Sequence, residues 1–344
     1  MNRLFFGVAL GSTLLASSAF AAPKKAAVAA LLGPAVTLTL AAGPGGAPWR
    51  IQIVNEGQVP VRIPADVRLL TIELTPTGDG KKKPIVAKCT LPDDALPSND
   101  EGSELVVPPT KSWSAIFDPL FYCFGAKERA ALVAGTSVRA RFGWTTPGTK
   151  PPYAVAPVGA GVGQVASVRA LDAAPVILAD TVPLASSTMP EDMGESPVGL
   201  TVPETMDASR GIELGTTVTL VNSDDRSLTM LYRAEMLLFR VVGPSGGVAC
   251  GFTRQVLAPI RELYATVPAH GKSSIGVLFA VTCPAGTFDE PGIYRVTPKL
   301  DLGGASGRSI GMKTWDGTAI ARKPLVLRVR NARRPALPPR PSLD

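Results

Sequence analysis

Histidine is almost missing: the chain has one, His270, in 344 residues. A Ser-His-Asp or Cys-His site would have to use it, because no other side chain titrates near neutrality without a strong shift. It stands in the turn "PAHGKS", with Gly271 after it, which reads as a surface turn. Aromatic residues are only 6% of the chain, and no strand interleaves them with basic residues. Nucleic-acid recognition is therefore not expected. Charged residues are 18%, and amphipathic Glu/Lys-rich segments are lacking, so a helical bundle is not expected either. No C-x-x-C spacing occurs, which with one histidine makes a zinc site a poor reading. Beyond the N-terminus no apolar run approaches the roughly 20 residues that span a bilayer, so no transmembrane segment is expected.

The N-terminus has the three-part layout of a secretory signal. Arg3 is followed by an apolar stretch from Leu4 to about Leu15, then by small residues ending Ala19-Phe20-Ala21. Residues 1–21 are expected to be a signal peptide, which predicts export to the periplasm, the cell surface or the medium. Gly (34) and Pro (33) punctuate short valine-rich alternating runs. That texture is how an all-β sandwich reads.

Four cysteines, Cys89, Cys123, Cys250 and Cys283, fall into two pairs spaced 34 and 33 apart, and the pair recurs at an offset of about 160 residues. In an exported chain an even count predicts disulfides. Four cysteines allow three pairings, and the repeat favours Cys89–Cys123 with Cys250–Cys283. Other segments repeat too. "RIQIVNEGQVP" (50–60) matches "TVTLVNSDDRS" (217–227), each alternating into Val-Asn and then a polar turn at Asn55 or Asn222. "RLLTIELTPTGDG" (68–80) matches "MLLFRVVGPSGG" (236–247), and "ELVVPPTKSWSAIFDPLFYC" (104–123) matches "YATVPAHGKSSIGVLFAVTC" (264–283). "GTSVRARFGW" (135–144) matches "GIYRVTPKLDL" (292–302), and "APVILAD" closes the first unit as "PLVLRVR" closes the second. A period of this length is a duplicated domain and not a solenoid.

Each unit predicts about seven short strands and one disulfide. This resembles tandem immunoglobulin-like β-sandwich modules of bacterial exported proteins, on the Val-Asn turn, the Pro-Gly turn and the late strand Pro291 to Val296. The resemblance implies an all-β fold of two tandem sandwiches. The chain departs from the antibody pattern, whose cysteines lie much farther apart than 33 or 34 residues and whose core Trp lies between them. Trp113 has no counterpart in the second pair, and the bridge is therefore expected on strands other than those of antibody domains. A fainter similarity is to bacterial proteinase-inhibitor domains. The expected boundaries are 34–184 for the first sandwich, 185–197 for a linker and 198–330 for the second. Residues 331–344 read as a disordered, basic, Pro-rich tail.

Other motifs favour plain readings. "GAGVG" (159–163) lacks the strand-then-helix setting of a phosphate loop. The acidic stretch 92–104 offers Asp93, Asp94, Asn99, Asp100, Glu101 and Glu104, yet it matches no calcium-loop spacing and reads as a solvated loop. No cofactor and no metal are expected. The net charge of +7 suggests attraction to anionic surfaces, with Lys81, Lys82, Lys83, Arg333, Arg334 and Arg340 as candidate surface-binding residues. The function expected is a non-catalytic envelope or extracellular binding or adhesion-type protein whose partner is another such protein or an acidic polysaccharide. The alternative is an inhibitor of a secreted proteinase acting through loop 92–104 or 146–164. An enzyme is not expected, since no nucleophile–base pair is evident.

Overall fold

The computed structural model describes residues 35–77, 86–97, 104–143, 155–158, 170–184, 196–210, 214–252, 260–303 and 307–331. The expected signal peptide, Lys81 to Lys83, most of the linker and Arg333, Arg334 and Arg340 lie outside these residues.

Unit one runs β1 (Val36–Ala41), β2 (Trp49–Asn55), β3 (Val61–Pro64), β4 (Leu70–Thr75), β5 (Ala87–Cys89), β6 (Glu104–Val107) and β7 (Ser112–Phe117). It continues through the helical turns α1 (Pro119–Tyr122) and α2 (Ala126–Ala130) to β8 (Ser137–Gly143), β9 (Ala156–Pro157), β10 (Ala170–Asp172) and β11 (Val176–Ile177). Unit two runs β12 (Val198–Thr201), β13 (Thr205–Ala208), β14 (Gly215–Asn222), β15 (Leu228–Met230), β16 (Leu237–Gly243) and β17 (Gly246–Gly251). Then come β18 (Ala265–Val267), β19 (Lys272–Leu278), α3 (Phe279–Thr282), β20 (Gly292–Asp301), β21 (Thr318–Ile320) and β22 (Leu325–Val329).

The protein is all-β, two β-sandwich domains with disulfides Cys89–Cys123 and Cys250–Cys283. The sheets repeat. One layer is β1-β2-β7 in unit one and β12-β14-β19 in unit two. The other is β10-β8-β4-β5 with β11 also on β8, matched by β22-β20-β16-β17 with β21 also on β20. A small ladder, β3 on β6 and β15 on β18, completes each unit.

The alternation in the sequence aims the core. In β2 the side chains of Trp49, Ile51, Ile53 and Asn55 are fully buried, and in β14 Val218, Leu220 and Asn222 are fully buried. The twin asparagines are thus core residues and not turn residues. Asn55 Nδ2 donates to Val59 O and to Val107 O, both at 2.9 Å, and its Oδ1 accepts from Gly57 N at 3.0 Å. Asn222 Nδ2 donates to Arg226 O and Pro268 O, both at 2.8 Å, and its Oδ1 accepts from Asp224 N at 3.0 Å. One amide therefore ties the turn after the strand to the strand end beside it, once in each unit. Buried backbone groups need such partners.

Several details differ from the sequence expectation. Eleven strands are found in each unit among the described residues, more than about seven, because the small ladder and broken strands add to the count. The last strand is split in both units: Pro175 and Pro324 precede β11 and β22 and interrupt pairing with the neighbouring strand, since proline has no N–H to donate. The strand before the second cysteine stops at Phe117 or Leu278, and one helical turn, α1 or α3, carries the chain to Cys123 or Cys283. Strand β13 has no counterpart among the described residues of unit one. The glycine match at β8 and β20 is one residue out of register: Ala140 and Pro298 are the equivalent pair, each opposite the residue that faces the first cysteine.

The turns between β6 and β7 and between β18 and β19 place Thr110 (φ 62°) and His270 (φ 54°) in left-handed backbone. That region is strained for a β-branched residue. Thr110 is exposed, so Thr110→Asn is expected to raise stability by about 1 kcal/mol, measured as a shift in the urea midpoint.

Candidate functional site

The two units differ most where their sheets meet at one edge. In unit two this edge is closed. Leu200 of β12 makes a parallel bridge to Ala321. Strand β13 lies parallel on β22, from Thr205 opposite Val326 to Ala208 opposite Val329, with Val326 N donating to Glu204 O and Arg330 N to Ala208 O, both at 3.1 Å. In unit one the corresponding edge is open among the described residues. Leu38 and Ala173 occupy the positions of Leu200 and Ala321, and no bridge joins them. Strands β1 and β10–β11 instead face one another across a slot of about 580 Å³. Val36, Leu38, Leu40, Leu171 and Val176 line it, with Asp172 among the lining residues.

The backbone at this edge is poised to pair. Val176 and Ile177 lie opposite Val138 and Ser137 of β8. Leu178 N donates to Thr136 O at 2.9 Å. In an antiparallel ladder inward and outward groups alternate, so the intervening Ile177 turns its N–H away from β8. Val326, its equivalent, turns its own N–H the same way and gives it to β13. Among the described residues nothing pairs with the outer edge of β11. Asp172 and Arg141 form an exposed ion pair at 3.8 Å. The slot holds apolar side chains, an open strand edge and a charge nearby. It can hold an extended chain by strand addition, and its volume is within the usual range for ligand clefts, about 300 to 1,000 Å³.

A second arrangement fixes the units against each other. Ile293 and Val326, from unit two, are buried in the hydrophobic cluster of unit one. Arg328 beside them is 7% exposed. Its guanidinium forks onto both carboxylate oxygens of Asp207 on β13, donates to Phe121 O at 3.2 Å and sits 4.6 Å from the Phe124 ring centre. Arg330 reaches Asp94 at 3.1 Å, Arg295 reaches Asp118 at 3.7 Å, and Arg129 reaches Glu204 at 3.8 Å. The outer face of β20 and β22 thus packs on the disulfide-bonded corner of unit one that carries α1.

Burial pushes the Asp118 carboxyl above its ordinary range, against the opposing pull of the Leu120 N–H and of Arg295. Its ionised form is therefore disfavoured in the folded state. The contribution of this group to stability is full below the unfolded pKa and is lost as pH rises through the folded one. Asp118→Asn keeps an acceptor for the Leu120 N–H. It is expected to flatten the loss of stability as pH rises from the ordinary carboxylate range, about pH 4, measured by urea unfolding at several pH values. Burial also raises Tyr294, to about 12, and Tyr122 higher still; both donate to backbone carbonyls and read as structural.

The residues singled out in the sequence are scattered. The four cysteines are bridged in pairs. His270 Nε2 lies 3.0 Å from Asp225 Oδ1 in an exposed turn. Of the acidic stretch, Asp94 is taken by Arg330 and Glu104 by Arg62 at 3.4 Å, while Asn99, Asp100 and Glu101 lie outside the described residues, as does 159–163. The slot was missed. Its one signal in the sequence is a length difference: residues 202–214 join β12 to β14, where only 42–48 join β1 to β2.

No family model matches the chain, and no curated protein matches it. Among solved structures it is similar to red sea bream transglutaminase, at 11% identity and a TM-score of 0.20, covering 85% of this chain and 31% of that one. It is also similar to the ASH/PapD-like domain of human CEP192 (PapD-like domain 7), at 12% identity and a TM-score of 0.18, covering 43% of this chain and 98% of that one. The chain therefore spans about a third of the transglutaminase, and neither likeness bears on chemistry.

Proposed function

We propose that this chain is a non-catalytic binding protein of an exported compartment, which takes an extended segment of a partner protein into the slot of unit one. One observation carries the reading: the edge that β13 covers in unit two has no covering strand among the described residues of unit one, and the Ile177 N–H is directed outward. The ligand class that suits it is a peptide strand with apolar side chains at alternate positions. Main-chain bonds to β11 supply affinity and the slot selects the side chains. Two disulfides and the signal-like N-terminus support export, and N-terminal sequencing of the mature protein should begin at Ala22.

The test is selection from a displayed library of random ten-residue peptides, followed by binding of the selected peptides to two variants. Ile177→Pro removes the outward N–H and leaves the bonds to β8 in place, a substitution tolerated on an edge strand. Ala174→Arg sets a long charged chain in the slot lining. Selected peptides should alternate apolar and polar residues, and both variants should weaken them at least tenfold. Binding that both variants leave unchanged would falsify the slot reading. A panel of secreted proteinases, assayed alongside, tests inhibition; inhibition unaffected by the two variants would favour the loop-based inhibitor instead.

A further inference from the structure

The interface inside the chain joins two different surfaces, a corner of unit one and a sheet face of unit two. Because the units repeat, each carries both surfaces. The chain uses corner one and face two, and among the described residues corner two and face one have no partner. We infer that these two remaining surfaces bind one another between copies, so that the protein assembles head to tail.

The residues at the unused surfaces fit this use. Phe121, buried on corner one, corresponds to Val281 on corner two, which is 64% exposed. Val326, fully buried on face two, corresponds to Ile177 on face one, which is 62% exposed. The ionic partners change together. Asp118 and Arg295, paired across the internal interface, correspond to Leu278 and Ser137, and Leu278 is 62% exposed. Arg328 corresponds to Ala179, and its partner Asp207 belongs to β13, which has no counterpart among the described residues of unit one. In place of Asp118, corner two shows an exposed leucine beside the exposed Val281, an apolar pair on the surface that would meet face one. Both members of the charge pair are gone together, with an exposed leucine on corner two and a serine on face one, so neither position leaves an unpaired charge at the contact.

Such a contact is heterologous: corner meets face, never corner meets corner. Heterologous contacts close into rings or run on as open filaments. The assembly does not depend on the slot. In unit two the edge of β22 takes β13 while its face packs on unit one, so a strand at β11 and a neighbouring copy on face one are compatible.

The experiment is sedimentation velocity on the full mature protein up to millimolar concentration, with two charge substitutions. Val281→Asp disables corner two and leaves face one intact. Ile177→Asp disables face one, keeps its backbone N–H, and leaves corner two intact. The wild type should show a weight-average mass that climbs past the dimer as concentration rises. If rings form, it should instead settle at a closed oligomer. Each variant alone should remain monomeric. An equimolar mixture of the two should form a dimer and nothing larger, because one corner and one face survive between them. Circular dichroism establishes that both variants are folded. A wild type that stays monomeric at millimolar concentration overturns the inference, and so does association that either variant alone retains. A mixture that stays monomeric while the wild type associates also overturns it, since the contact then uses other surfaces.

Discussion

Asn55→Ala is expected to lower the stability of the protein by about 3 kcal/mol, with Asn222→Ala costing a similar amount. Each asparagine is fully buried. Removing the Asn55 amide strands the carbonyls of Val59 and Val107 and the amide of Gly57. A buried polar group left without a partner costs about 1 to 3 kcal/mol, and the groups nearest the turn can recover water, which brings the sum down. Urea unfolding followed by tryptophan fluorescence measures the change. Gln52→Ala, at a neighbouring position on the opposite face where Gln52 makes an exposed bond to Ser112, is the control and should shift stability by less than about 0.5 kcal/mol. A loss below about 1 kcal/mol for Asn55→Ala would mean that water replaces the amide and that the Val-Asn repeat has another purpose.

The second large effect is at the junction of the units. Arg328→Ala should cost about 3 kcal/mol, the lower end for breaking a buried ion pair, because Asp207 is a third exposed and can be rehydrated. The loss includes the bond to Phe121 O and the contact with the Phe124 ring. More telling than the size is the shape of the transition. With Arg328 in place the units share a core through Ile293 and Val326 and should unfold together. Without it, calorimetry should resolve two transitions, one for each sandwich. Expression of 34–184 and 197–332 separately tests the same boundary. Those pieces should be β-rich, and the second should be prone to aggregate through its uncovered Ile293 and Val326.

Much of this was legible in the sequence because duplication leaves two copies of every signal. The cysteine pairs, the Val-Asn runs and the alternating strands each appear twice, and the disulfide pairing and the all-β fold follow from them. What the sequence obscured lies where the copies diverge. Asn55 reads as a turn residue because polar residues follow it, and only the register of β2 turns its side chain inward. Arg328 gives no sign of its role in the sequence, because nothing local says that the outer face of β22 is covered by the other unit. The slot is fainter still. It arises from a segment present between β12 and β14 and missing between β1 and β2, and absence of a strand has no motif.

Among the described residues unit one is an open-edged copy of unit two, and native-state hydrogen exchange at two equivalent amides tests that most directly. The amide of Val326 donates to Glu204 O and should exchange only on global or near-global opening. The amide of Ile177, which is directed out from the edge of β11, should exchange close to the rate of an unprotected amide in the free protein, several orders of magnitude faster. It should become protected when a peptide occupies the slot. If Ile177 in the free protein is as protected as Val326, the edge is already covered, and the proposal that unit one receives a strand is contradicted.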